Sequence, residues 1–236
     1  MRVIIGAALG LLLGTAGLVA EENPVVIELY TSQGCSACPP ADALLERLAD
    51  HRDVIALALH VDYWDYIGWA DAFAQPGFTE RQKGYARAVG DRAIYTPQMI
   101  VGGTDRIEGF RPIQLADLIT AHRDRAQPVQ LALTREAEDQ VRIRLAPAPS
   151  AEPDAGKVAL VQLVRYKPKE TVTIARGENA GRTVTYHNIV TLWETIARWD
   201  GAAPLEMLAR VEGDQPVVII VQREGFGPVI GAARLP

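Results

Sequence analysis

Apolar positions along the chain follow two different periods, and the change between them falls near Gln127–Pro128. Upstream, short apolar runs alternate with helical spacing. Val25–Tyr30 is a compact strand candidate, and Ala41, Leu44, Leu45, Leu48 and Ala49 then recur on one helix face. Val54–Val61 is apolar on both parities, as a strand covered on both sides should be. Thr79 with Gln82 gives a capping-box signal for a helix continued by Tyr85, Ala86 and Val89. Gln98–Gly103 and Asp105–Phe110 read as a hairpin through Gly102-Gly103. Pro112 opens a last helix with a stripe of Leu115, Leu118, Ile119 and His122. The predicted order is β-α-β-α-β-β-α.

Downstream of Pro128 the period is mostly two. Val129, Leu131 and Leu133 alternate, as do Val141, Ile143 and Leu145. Runs at Val158–Val164, Thr171–Ile174, Thr183–Tyr186, Met207–Val211, Val217–Val221 and Pro228–Ala232 predict further short strands. This pattern predicts an all-β, sandwich-like C-terminal domain over residues 128–236. Ala146–Gly156, rich in Pro and Ala, reads as a long hairpin loop, and Asn188–Trp199 fits helix and strand equally.

Composition narrows the class without changing this outline. The chain has 236 residues, 48% of them hydrophobic and 22% charged, which suits a globular protein with a sizeable core. A net charge of −5 leaves no basic footprint, so nucleic acid is not an expected partner. The first twenty residues stand apart: Arg2 precedes an apolar, Gly- and Ala-rich run ending at Ala20, and acidic Glu21-Glu22 follows. That layout predicts a signal peptide over 1–20 and an exported, periplasmic or secreted, product with no stable membrane span after cleavage. If retained, the run from Val3 to Ala20 would nearly span a bilayer. An oxidising compartment lets disulfides persist.

Both cysteines lie in one stretch, Ser32-Gln33-Gly34-Cys35-Ser36-Ala37-Cys38-Pro39-Pro40, directly after a strand and at the start of a helix. As a staple the pair is weak: closing four residues contributes about 2 kcal/mol in the chain-entropy model, against about 4.7 for a hundred-residue loop. As a structural zinc site it lacks a second ligand pair, since His51, His60, His122 and His187 stand singly. A Cu(I) site using Cys35, Cys38 and His60 suits two thiolates and an imidazole. As a redox pair it is well placed, because free N–H groups and the helix dipole stabilise a thiolate there. Pro39-Pro40 should delay the helix start, leaving Cys35 on an exposed turn as nucleophile and Cys38 as resolving thiol. There is no Gly-rich phosphate loop and no haem-attachment motif, so no organic cofactor is implied.

The segments "ELYTSQGCSACPPAD", "HVDYWDYIGW", "FTERQKGYA", "YTPQMIVGG" and "RGENAGRTVTYHNIV" resemble a secreted family called domain of unknown function 1223, and residues 21–127 resemble the thioredoxin superfamily. The resemblance implies a thioredoxin-like N-terminal domain with a redox-active CxxC, followed by the β-rich domain. It implies a cis peptide bond at Thr96-Pro97, shaping a peptide groove beside the CxxC turn. It also implies a buried acid relaying a proton to the resolving thiol, for which Glu28 is the candidate. Thioredoxins carry an aromatic residue before the first cysteine, whereas this chain has Gly34. His60, Asp62, Tyr63 and Trp64, at the carboxyl end of the central strand, are candidate groove residues, with packing of the long connection as the plainer alternative.

The reading that follows is a thiol–disulfide oxidoreductase acting on protein thiols or disulfides and served by an unidentified redox partner. A Cu(I) metallochaperone and a non-catalytic binding module are the alternatives.

Overall fold

The computed structural model describes residues 24–125, 128–149 and 157–235. The predicted signal segment and residues 150–156 of the Pro-rich loop lie outside the described residues. The first half runs β1 (Val25–Thr31), α1 (Pro39–Leu48), β2 (Val54–His60), a short 3-10 turn (Asp65–Ile67), α2 (Pro76–Ala88), β3 (Gln98–Val101), β4 (Asp105–Glu108) and α3 (Pro112–Arg123). The second half is all strand: β5 (Val129–Ala137), β6 (Gln140–Pro147), β7 (Ala159–Thr173), β8 (Thr183–Trp199), β9 (Leu205–Arg210), β10 (Val217–Arg223) and β11 (Val229–Leu235).

Two helix starts differ from expectation. Pro39 and Pro40 occupy the first helical positions of α1 and do not delay it, because a first-turn residue has no intrahelical use for its N–H. Cys38 is the N-cap, itself in helical conformation. Similarly α2 begins at Pro76, after an extended Gln75, so Thr79 lies inside the helix and is not its cap. Its hydroxyl is committed elsewhere, donating to Asp62 Oδ1 at 2.5 Å.

The change of period near residue 127 is not a break in the sheet. Eight strands form one mixed sheet in the order β11-β10-β7-β8-β2-β1-β3-β4, and β5-β6-β9 form a second, three-stranded sheet. The halves meet where β2 runs parallel to β8 at Ala58 and Ile189, reinforced by Asn188 Nδ2 donating to Ala56 O at 2.9 Å. β6 and β7 lie in different sheets, so the loop between them joins two layers and closes no hairpin. Asn188–Trp199 is strand, part of the 17-residue β8. Two register shifts against β7 break its alternation, which is why its period is ambiguous.

Alternation along the strands builds three cores. Val25, Ile27 and Leu29 of β1 meet Ala41, Leu44 and Leu45 of α1 and Leu115 of α3 on one face. On the same face farther along, Val161, Val217, Ile219 and Val221 pack on Leu133, Val141 and Ile143 of the small sheet. The opposite face carries Val26, Tyr30, Leu57, Leu59, Val218 and Ile220 beneath Phe78 and Tyr85 of α2. β1, β2 and β10 are buried along their whole length, as strands covered on both faces must be.

The α2 layer leaves no room at Gly84. A Cβ there would stand 2.1 Å from Cζ of Phe226. Gly84→Ala gains helix propensity, roughly 1 kcal/mol, but the overpacking costs about 1–3 kcal/mol. A net lowering of the urea midpoint is expected, and an unchanged or raised midpoint would show that Phe226 moves aside freely.

Candidate functional site

β1 ends at Thr31 and α1 begins at Pro39, so the cysteines occupy the tight connection between them. Cys35 N donates to Ser32 O at 3.1 Å and Cys38 N to Cys35 O at 3.2 Å. These turns bring the two Cα atoms to 5.4 Å, and Cys35 and Cys38 are joined by a disulfide. The expectation of an exposed Cys35 is corrected: it is 1% exposed and Cys38 0%, and only Ser36 and Ala37 of the motif face solvent. The cover comes from the second half. Asn179, in the turn between β7 and β8, donates Nδ2 to Gln33 O and to Cys35 O, both at 2.9 Å.

The β2–α2 connection forms the other wall. Trp64 lies against Gly34, where an added Cβ would stand 3.2 Å from Trp64 Cβ, and its Nε1 donates to Thr96 Oγ1 at 2.7 Å. One side chain therefore links the CxxC turn to the Thr96–Pro97 peptide bond, which is cis. Trp64 and Ile67 together leave no room for a side chain at Gly34. Trp69 Nε1 donates to Gln33 Oε1 at 2.7 Å from the same loop.

His60 is fully buried, with Nδ1 on Asp71 Oδ2 at 2.7 Å, and the same carboxylate oxygen accepts Gln33 N at 2.8 Å. Phe73 and Tyr186 meet the His60 ring edge-on, with centroids at 5.2 and 5.0 Å. His60 Nε2 has no partner within the described residues. Asp62 and Tyr63 both reach α2: Asp62 accepts the Thr79 hydroxyl, and Tyr63 OH donates to Gln82 Oε1 at 3.2 Å while also interacting with the Thr96 side chain.

Glu28 is also placed elsewhere. It lies on the α2 face of β1, whereas α1 packs on the other. Arg81 Nε and an Nη grip its two carboxylate oxygens at 2.7 Å each, and Tyr30 and Tyr85 donate hydroxyls at 2.8 and 2.6 Å. Burial alone would lower the Arg81 pKa, but the Glu28 carboxylate outweighs it and raises it. These contacts commit the Glu28 carboxylate to Arg81, Tyr30 and Tyr85 on the face of β1 opposite α1.

The buried acid beside the cysteines is Asp42. It lies one turn beyond Cys38 on the same face of α1, with its N–H on Cys38 O at 3.1 Å. Oδ1 accepts the Thr31 hydroxyl at 2.8 Å and Oδ2 has no partner within the described residues. Burial pushes its carboxyl up to about 7, a rise opposed by the His60 ring and the Thr31 hydroxyl and aided by Asp71. Sequence reading missed Asp42 because an acid in a first helical turn reads as a partner of the helix dipole. Asp71 carried no local signal, and Asn179, within the Arg176–Arg182 segment, reads in sequence as a turn residue. Among the described residues, no group of three or more His, Cys, Asp or Glu side chains is arranged to hold a metal ion. Among the described residues no helix is long and apolar enough to cross a membrane.

A family model described as "Protein of unknown function (DUF1223)" matches residues 26–222. A crystal structure of a protein from Agrobacterium tumefaciens superposes with a TM-score of 0.73 at 30% identity, covering 89% of this chain and 93% of that one. No curated protein matches the chain.

Proposed function

Because this chain belongs to the DUF1223 family, whose description assigns no activity, we propose its function from the site: an exported thiol–disulfide oxidoreductase whose N-terminal half is a thioredoxin-like unit. The observation that carries this reading is the disulfide between Cys35 and Cys38 at the N-terminus of α1, packed against Trp64, whose Nε1 donates to Thr96. Trp64 and Thr96 then have a defined part, holding the proline beside the CxxC turn.

In the reducing half-reaction a partner thiolate attacks Cys35 Sγ. The Cys35–Cys38 bond breaks, a mixed disulfide forms at Cys35, and Cys38 leaves as a thiolate. The leaving thiolate takes a proton, and Asp42, near-neutral in pKa and one turn from Cys38, is placed to give it. A second thiol of the partner then attacks the mixed disulfide, so the partner is oxidised by two electrons and both cysteines end reduced. Run backwards, Cys35 attacks a partner's disulfide and Cys38 resolves it.

A trapping experiment tests this. Full-length Cys38→Ser, expressed with its own leader, should accumulate a mixed disulfide with one or a few exported proteins, and Cys35→Ser should not. The reading fails if Cys38→Ser captures nothing; stoichiometric Cu(I) held by reduced wild-type protein would then favour the metallochaperone instead.

A further inference from the structure

The β7–β8 hairpin extends past the sheet that anchors it. β10 pairs with β7 only from Ala159 to Arg165, and β2 meets β8 at Ile189. Residues 169–173 and 183–187 pair only with each other, forming an arm whose tip reaches the CxxC turn. Between residues 175 and 183, Asn179 is the one buried residue, 2% exposed. It is a polar group inserted where a partner would approach. Gly177 fits the tip against Trp69, where an added Cβ would stand 3.4 Å from Trp69 Cβ.

We propose that the β7–β8 tip is a gate over the disulfide and that Asn179 is the residue that decides what reaches Cys35. This deepens the oxidoreductase reading and rests on it. Closed, the tip leaves Cys35 1% exposed, so a folded partner cannot bring a sulfur in line with the disulfide. Open, it frees the carbonyls of Gln33 and Cys35, which favours a partner segment able to donate N–H groups to them. The closure is built to be reversible. Two hydrogen bonds hold it, while Asn179 Oδ1 is buried without a partner among the described residues, an arrangement that costs stability in the closed form. Buried Ile174 and Tyr186 anchor the base of the arm, whereas residues 175–178 and 180–183 of the tip are exposed, as expected of a segment that opens locally.

The test is reduction of the oxidised full-length protein by dithiothreitol, followed over a wide range of concentration. In the wild type the rate should level off as opening becomes limiting. Asn179→Ala and Asn179→Asp, which lacks the donor, should react faster by about tenfold and stay linear further. Circular dichroism establishes that each variant is folded. If neither folds, levelling in the wild type alone supports the gate, and strict linearity overturns it. Folded variants that react at the wild-type rate also overturn it, whatever the wild-type curve. Acceleration in the variants together with no trapped partner in Cys38→Ser would uphold the gate and sink the oxidoreductase reading, so the two failures are distinct.

Discussion

Arg81→Met is expected to destabilise the fold by about 3–5 kcal/mol, because it leaves the Glu28 carboxylate buried without its counter-charge. Glu28 is 1% exposed and accepts two bonds from the guanidinium at 2.7 Å. Methionine fills much of the arginine volume, so the loss reports the charge more than a cavity. The same guanidinium lies over the Trp193 ring at 3.8 Å and donates to Gln222 Oε1 at 3.0 Å. It therefore ties α2 to strands of both halves, and its loss should be felt along the whole sheet. Urea unfolding of the wild type, Arg81→Met, Glu28→Gln and the double variant measures this. The double variant should lose clearly less than the sum of the singles, since removing both charges leaves neither stranded. Additive losses would show that the two side chains act independently.

Asp42→Asn is expected to be more stable than wild type at pH 8 by up to about 4 kcal/mol, and nearly equal to it at pH 4. The folded carboxyl titrates near 7 instead of 3.8 chiefly because it is buried, so the folded state holds this proton more tightly than the unfolded chain does. Stability linked to it is fully present below the unfolded value and is lost as pH rises through about 7. Asparagine keeps an acceptor for the Thr31 hydroxyl and has nothing to ionise. His60, Asp71 and Tyr186 surround the position and remain unchanged in the comparison. Urea midpoints at pH 4, 6 and 8 should converge at the acid end and diverge at the alkaline end. Parallel profiles would mean that Asp42 ionises as freely folded as unfolded.

Much of the local structure was legible because it follows from side-chain periodicity. The both-parity run of β2 and the stripe of α1 each state which faces are covered. What periodicity does not state is the neighbour. Alternation in β7, β8 and β10 shows that each strand has two faces, but not that β8 lies beside β2, whose bridge joins Ala58 to Ile189. The same limit misplaced Glu28. An acid in an apolar strand signals a special partner, and Arg81, 53 residues on, reads in sequence as an ordinary surface charge. The pairing of the cysteines was legible because it is local to four residues, whereas the cis bond at Thr96-Pro97 was implied only by the family resemblance. Asn179 was not, since Asn and Gly in a hairpin tip are first of all turn formers, and only the long arm brings that tip to Cys35.

The bond from Asn179 to Cys35 spans 144 residues of chain. During synthesis the cysteines emerge first and the covering residue much later, a delay of roughly ten seconds at ordinary elongation rates. In that interval the thiols are as open as those of any unfinished polypeptide, and cellular oxidants can pair them without lifting anything. Once the tip docks, the sulfur pair is enclosed. The order in which the chain emerges thus lets the two sulfurs meet before the residue that covers them exists.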